Sequence, residues 1–231
     1  MSTRRVFVEQ LHVGLVELNQ AEAKHARDVL RLIVGDQVSL FDPAGNAGQA
    51  RLTTVDKRQV VAQVDRIDAP VKTKLLTVVS STPKGERADW LVEKLSEIGV
   101  SVWQPVVCGR SVVEPGKGKL DRWRRIAIEA AKQSGRVGVM RIEPAVPLTM
   151  VKVEAGAVVL NSELAIGDAI KMGAAVTQIF VGPEGGWEPA ELESFRGTGV
   201  RAIRLPTPIL RVETACVVAA GLAMCHIPEN L

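Results

Sequence analysis

"LLTVVSSTPKGERADWLVEKLSEIGVSVWQPVV", Leu75 to Val107, is the stretch whose reading decides the fold class. Leu75–Ser80 is an apolar, β-branched run and predicts a buried strand. Over Glu86–Ile98 the period changes, and Ala88, Leu91, Leu95 and Ile98 fall on one face of a helix that Gly99 is placed to stop. Val100–Val107 then reads as a second strand.

The same alternation continues to the C-terminus. A helix over Asp121–Ser134 places Ile126, Ala127, Ala130 and Ala131 on its apolar side, with Gly135 to close it. Strands are expected at Ala157–Leu160, Gln178–Val181 and Ala202–Leu205, and a last helix at Glu213–Met224. Strands alternating with helices imply an α/β domain with a largely parallel sheet covered on both faces.

Upstream the pattern is different. Short β-branched runs at Val6–Val8, Gln37–Phe41, Ala50–Val55 and Val60–Ile67 are broken by one helical segment, Asn19–Leu32, and by the turn "FDPAGNAG". This half reads as a small β-barrel carrying one helix. "DAPVKTK", around Pro70, is the expected linker, which gives domains over residues 1–70 and 74–231.

Composition narrows the classes. The 231 residues carry 29 Lys and Arg against 26 Asp and Glu, so any polyanion surface must come from local clustering. Such a cluster exists: Lys117, Lys119, Arg122, Arg124, Arg125, Lys132, Arg136 and Arg141 face only Asp121 and Glu129 in the same stretch. It reads either as a solvated helix face or as a phosphate-tracking surface. With 3% aromatic residues and no tyrosine, base stacking is not the main mode of nucleic-acid binding. The three cysteines, Cys108, Cys216 and Cys225, have no metal or redox spacing and indicate a reducing compartment. No metal site is expected. "MSTRRVFVEQ" lacks an apolar stretch behind Arg4 and Arg5, and the longest apolar run, Ala215–Cys225, is too short to span a bilayer, so the expectation is a cytoplasmic protein.

Two loops follow predicted strands. "VGPEGG", Val181–Gly186, opens a helix with Pro189 in its first turn, yet it lacks the Gly-Lys-Ser/Thr ending of a P-loop and the dinucleotide glycine spacing. It is either a tight strand-to-helix turn or a ligand loop. "RLPTPILRVETA", Arg204–Ala215, places Arg211 and Glu213 at a helix entrance, where they serve as an ion pair favouring the helix dipole or as a functional pair.

Together, "HARDVLRLIVGDQVSLFD", "PKGERADWLVEKLSEIGVSVWQPVV", "RSVV", "RWRRIAIEAAKQSGR", "VGPEGGWEPAELE" and "ILRVETA" resemble the small-subunit ribosomal RNA methyltransferases of the RsmE type, in the SPOUT class. The resemblance runs in family order from His25 to about Ala220. It implies an N-terminal PUA-like β-barrel for RNA and a C-terminal SPOUT α/β domain with a deep trefoil knot that binds S-adenosylmethionine. It further implies a homodimer that methylates N3 of one uridine near the 3′ end of 16S rRNA.

By position, the cofactor-binding residues implied are Leu160, Asn161, Gly182, Glu184, Gly185, Gly186, Leu205, Ile209, Leu210 and Arg211. Arg211 is the candidate to stabilise charge on the uracil oxygens, and Glu213 to orient Arg211 or accept the N3 proton. Arg4, Arg5, Arg31, Lys84, Arg110, Arg124 and Arg125 are the candidate phosphate contacts, Arg110 also reading as a structural ion pair. The chain departs from the family where Pro206, Thr207 and Pro208 replace the usual Gly-Pro-Arg, and at Val212, where Thr is usual. Proline has no N–H and a fixed φ, so this loop must take another path. Two alternatives stay open: a non-catalytic RNA-binding assembly factor on the same scaffold, and a SPOUT enzyme with a different RNA target.

Overall fold

The computed structural model describes residues 4–69, 75–113, 116, 118–164 and 176–225. The expected linker at Pro70, together with Lys117, lies outside the described residues. The chain divides into two compact units: Met1–Lys72 with Ala131–Val139, and Thr73–Ala130 with Met140–Leu231.

In the first unit, β1 (Arg5–Phe7), β2 (Gly14–Glu17), β3 (Gln37–Phe41), β4 (Ala47–Val55) and β5 (Val60–Ile67) form one sheet in the order β1-β3-β4-β5-β2. β1 runs parallel to β3 and the other pairs are antiparallel. Along β4, Gly48, Ala50 and Leu52 are buried while Gln49, Arg51 and Thr53 face solvent, the period of two expected of a half-covered strand. β2 escaped the sequence reading because a four-residue strand headed by a glycine at φ +113° carries almost no periodic signal. The helical segment is a short α1 (Gln20–Lys24), capped by the Asn19 side chain, which runs on into a π turn at His25–Val29.

Glu22 on α1 is 6% exposed. Lys132 Nζ donates to its Oε1 at 2.9 Å, and the Phe7 N–H to its Oε2 at 3.3 Å. The Arg5 guanidinium donates to the carbonyls of Ala131 (3.1 Å) and Arg136 (2.8 Å) and lies 4.4 Å from the centre of the Phe41 ring. These contacts join Ala131–Val139 to the sheet of this unit and account for its assignment there.

The second unit holds a seven-stranded sheet. Its strands are β6 (Thr77–Ser81), β7 (Val102–Val107), β8 (Arg141–Ile142), β9 (Val146–Pro147), β10 (Ala157–Leu160), β11 (Gln178–Val181) and β12 (Arg201–Ile203). The order is β12-β10-β11-β6-β7-β8, with β9 also on β7, and every registered pair is parallel. α2 (Glu86–Ile98), α3 (Gly118–Ser134), α4 (Pro189–Gly197) and α5 (Val212–Cys225) supply the helices. α2 ends at Gly99 in the left-handed conformation, as its sequence predicts.

α2 and α5 pack on each other, and α5 buries Cys216, Ala219, Ala220 and Ala223. A second layer joins Phe180 of β11 to Phe195 of α4, and Phe195 in turn to Trp187, with the ring centres of each pair about 5 Å apart in edge-on contact. Of the residues expected to face the core from α3, Ala127, Ala130 and Ala131 are buried, whereas Ile126 is half-buried. Trp123 carries the core contact instead: it stacks edge-on with Trp103 and donates its indole N–H to Asp89 at 3.0 Å.

Candidate active site

The carboxyl ends of β12, β10 and β11 are neighbours in the sheet, so the three loops that leave them converge on one cleft. The cleft encloses about 680 Å³ of empty space, its open mouth included. Its walls are Leu160–Ser162 after β10, Val181–Glu184 with Gly186 after β11, and Ile203–Leu205, Thr207–Leu210, Val212 and Ala215 from β12 into α5.

Each loop is held in place by identifiable contacts. Gly182 has no side chain because a Cβ there would lie 2.8 Å from Cε2 of Trp187. The Trp187 indole in turn donates to the carbonyl of Leu160 at 2.8 Å, joining the β11 loop to the end of β10. Gly186 takes φ +72°, and its N–H closes a turn on Pro183 at 2.9 Å. α4 then opens with Glu188 as N-cap, Pro189 in the first turn and a capping box closed by Glu191. The other Glu191 oxygen accepts the N–H of Gly109, and Arg110 donates to the carbonyl of Gly185 at 2.8 Å. Segment 109–110 thereby braces the glycine loop from outside the cleft.

The loop after β12 has an unusual donor inventory. Pro206 and Pro208 carry no N–H, and the N–H of Thr207 is bonded to the carbonyl of Leu205 at 2.8 Å. No backbone donor of 206–208 is free for a ligand. Ile209 is 83% exposed, a large apolar side chain at the mouth.

Of the residues expected around the cofactor, Leu160, Asn161, Gly182, Glu184 and Gly186 line the cleft, as do Leu205, Ile209 and Leu210. Gly185 and Arg211 do not. Gly185 faces Arg110, and Arg211 is exposed where the loop enters α5, its carbonyl accepting the N–H of Ala215. Glu213 also stands outside the lining. It is 5% exposed, and its Oε1 lies 3.7 Å from Nη1 of Arg87, which is 3.9 Å from Oε1 of Glu184. Glu213 Oε2 has no hydrogen-bond partner among the described residues. Arg87 therefore links the glycine loop to the helix entrance.

Arg204 and Ser162 line the cleft without having been singled out from sequence. β12 ends at Ile203 rather than at Leu205, so Arg204 already belongs to the strand's carboxyl end. Cys216 is fully buried, and burial pushes its thiol up to about 12; the Cys108 thiol is likewise pushed up to about 12, chiefly by burial. Neither is poised as a nucleophile. No cluster of three or more His, Cys, Asp or Glu side chains that could hold a metal occurs among the described residues. No described helix is long and apolar enough to cross a membrane.

Among the candidate phosphate contacts, Arg4, Arg31, Lys84, Arg110, Arg124 and Arg125 are exposed. Arg4 lies 3.4 Å from Asp36, Arg124 the same distance from Asp121, and Arg125 bonds the Asp121 carbonyl. Arg5 and Arg110 direct their donors to the carbonyls already described.

Two family models match the chain, one over each part. Residues 70–224 match the RNA methyltransferase domain and residues 18–65 the RNA methyltransferase PUA domain. Ribosomal RNA small subunit methyltransferase E of Synechocystis is 31% identical over 91% of this chain and 73% of its own length. The protein of that name from Mycobacterium tuberculosis is 30% identical over 87% and 82%. Among solved structures, the ribosomal RNA small subunit methyltransferase E from Neisseria gonorrhoeae bound to S-adenosyl methionine superposes with a TM-score of 0.85. It is 30% identical and covers 99% of this chain and 100% of its own. A Legionella pneumophila methyltransferase in complex with the bound cofactor gives 0.81 at 25% identity, covering 97% and 98%. The chain belongs to the RNA methyltransferase family, and within it to the ribosomal RNA small subunit methyltransferase E group.

Proposed function

We propose that this protein methylates 16S rRNA of the small ribosomal subunit with S-adenosylmethionine, and that the acceptor is N3 of a single uridine near the 3′ end. The observation that carries this reading is the cleft at the ends of β10, β11 and β12, in a chain that matches a relative bound to S-adenosyl methionine over 99% of its length. The residues present fit the cofactor. Apolar side chains at Leu205, Ile209 and Leu210 suit a purine face, and bare backbone at Gly182 and Gly186 allows close approach.

When bound, S-adenosylmethionine supplies an electrophilic methyl group for direct displacement. The chain's part is to position the base and handle its proton. Uridine N3 lies on the Watson–Crick edge, so the base must be unpaired or flipped before it reaches the cleft. Arg211, exposed beside the mouth, stabilises the charge that spreads onto the uracil oxygens. Glu213, buried beside Arg87, orients Arg211 or accepts the N3 proton.

In this reading the N-terminal unit is a PUA-like barrel that binds RNA, which the order β1-β3-β4-β5-β2 supports by leaving sequence neighbours β1 and β2 at the two edges. The C-terminal domain carries the trefoil knot, the cofactor and the dimer contacts, and the protein works as a homodimer in the cytoplasm. Arg4, Arg31, Lys84, Arg124 and Arg125 contact phosphate, while Arg5 and Arg110 hold the local fold.

The test is nucleoside mass spectrometry of 16S rRNA after incubating the protein with S-adenosylmethionine and small subunits that lack the modification. Appearance of 3-methyluridine at one site is the expected outcome. Subunit binding without methylation would install the assembly-factor reading, and a different methylated nucleoside would install another RNA target. Arg211→Ala should lower the transfer rate far more than cofactor affinity.

A further inference from the structure

Arg204 is the single cationic residue among the described residues that line the cleft, and it stands next to a loop whose prolines carry no N–H. It follows directly on β12, and the neighbouring strand β10 is joined to this edge by the Asn161 N–H, which donates to Ile203 at 2.7 Å. The half-buried Arg204 guanidinium donates Nη1–H to the carbonyl of Leu164 at 2.5 Å, and that carbonyl is its sole partner among the described residues. A guanidinium offers five N–H donors in a planar fork, so most of them remain available, and no carboxylate among the described residues neutralises the charge. The acid that lines the cleft, Glu184, faces Arg87 instead.

The chemistry of the wall around Arg204 sharpens the point. An anion at this edge could otherwise be bound by backbone N–H groups of the loop after β12. Pro206 and Pro208 have none, and Thr207 spends its own on Leu205. The fixed positive charge at the strand end is therefore the one cationic group among the described residues of that wall, beside a stretch, 206–208, that offers no free N–H. Resting on the cofactor reading above, we infer that Arg204 binds the carboxylate of the methionyl end of S-adenosylmethionine. Adenine and ribose carry no anion, and a carboxylate matches the two-pronged geometry of a guanidinium. Leu164 fixes one edge of that fork and leaves the remaining donors for the ligand.

The experiment is calorimetric titration of the full chain with two ligands: S-adenosylhomocysteine, which keeps the amino-acid end, and 5′-methylthioadenosine, which lacks it. Arg204→Met should weaken S-adenosylhomocysteine by about tenfold or more and leave 5′-methylthioadenosine within about twofold. Arg204→Lys, which keeps the charge and loses the fork, should fall between. Thermal unfolding of both variants checks that the fold is retained. Equal weakening of both ligands would overturn the assignment and make Arg204 a brace for the Leu164 loop. Unchanged binding of both would also overturn it, and loss of RNA binding alone would reassign Arg204 to a phosphate. If the wild-type chain bound neither ligand, the cofactor reading itself would fail, an outcome separate from all of these.

Discussion

Gly182→Ala tests how the cleft is held together. A Cβ built at Gly182 would sit 2.8 Å from Cε2 and 3.0 Å from Cδ2 of Trp187, about 0.7 Å inside an ordinary carbon contact of about 3.5 Å. The indole cannot yield freely: it is 6% exposed and wedged against Phe195 at 5.1 Å. Its N–H is also bonded to Leu160 at 2.8 Å, and a retreat of about 0.7 Å takes that bond to the limit of about 3.5 Å. Overpacking of this kind costs about 1–3 kcal/mol, and a partly buried carbonyl that loses its donor about 1 kcal/mol more. The expected loss is about 3 kcal/mol in urea unfolding followed by tryptophan fluorescence. Affinity for S-adenosylhomocysteine should fall as well, because Gly182 and Leu160 both line the cleft.

Trp187→Phe removes the N–H and part of the ring, and should alone cost about 1–2 kcal/mol. Since the smaller ring makes room for the new methyl, the double variant should be more stable than the two losses added together predict, by about 1 kcal/mol or more. A Gly182→Ala protein within about 0.5 kcal/mol of wild type, or a strictly additive cycle, would refute the steric argument.

Arg87→Met removes the cation beside Glu213, whose Oε2 lacks a partner among the described residues, and should destabilise the second unit by about 1–3 kcal/mol in urea unfolding; Arg87→Lys should recover part of the loss. Lys132→Met leaves the buried Glu22 charge unpaired and should cost about 3–5 kcal/mol, whereas Glu22→Gln with Lys132→Met should cost less than the single change; equal losses would argue against the pair. Burial raises the Cys216 thiol to about 12 from an ordinary value near 9.0, so the folded state holds that proton more tightly than the unfolded state. Its contribution is complete below about pH 9 and is lost as pH rises toward 12, by up to about 1.4 kcal/mol per pH unit. Cys216→Ala, compared with wild type in urea melts from pH 8 to 11, should lack that slope.

Much of this architecture is written in local patterns. The shift from a period of two to 3.6 after Pro70 separates sheet-forming from strand–helix sequence, and Gly99 stops α2 where expected. Residues around both strand-end loops were legible for the same reason: glycines and prolines next to apolar runs mark the turns where a parallel sheet presents its ligands. Other features were not legible. β2, β8 and β9 were too short to register, β12 ended before Leu205 and so brought Arg204 to the rim of the cleft, and Trp123 rather than Ile126 carried the core contact of α3.

The sequence by itself determined the types of the longer elements, the alternation that demands a parallel sheet and the two loops that must lie at its carboxyl edge. Only the tertiary structure decided which strands are neighbours. Order β12-β10-β11-β6 brings Trp187 to the carbonyl of Leu160, Arg204 to Leu164, and Arg87 to both Glu184 and Glu213. Hydrophobic periodicity reports which face of an element is buried, not what it is buried against. Side-chain partners far apart in the chain follow from strand order, which the whole core selects at once.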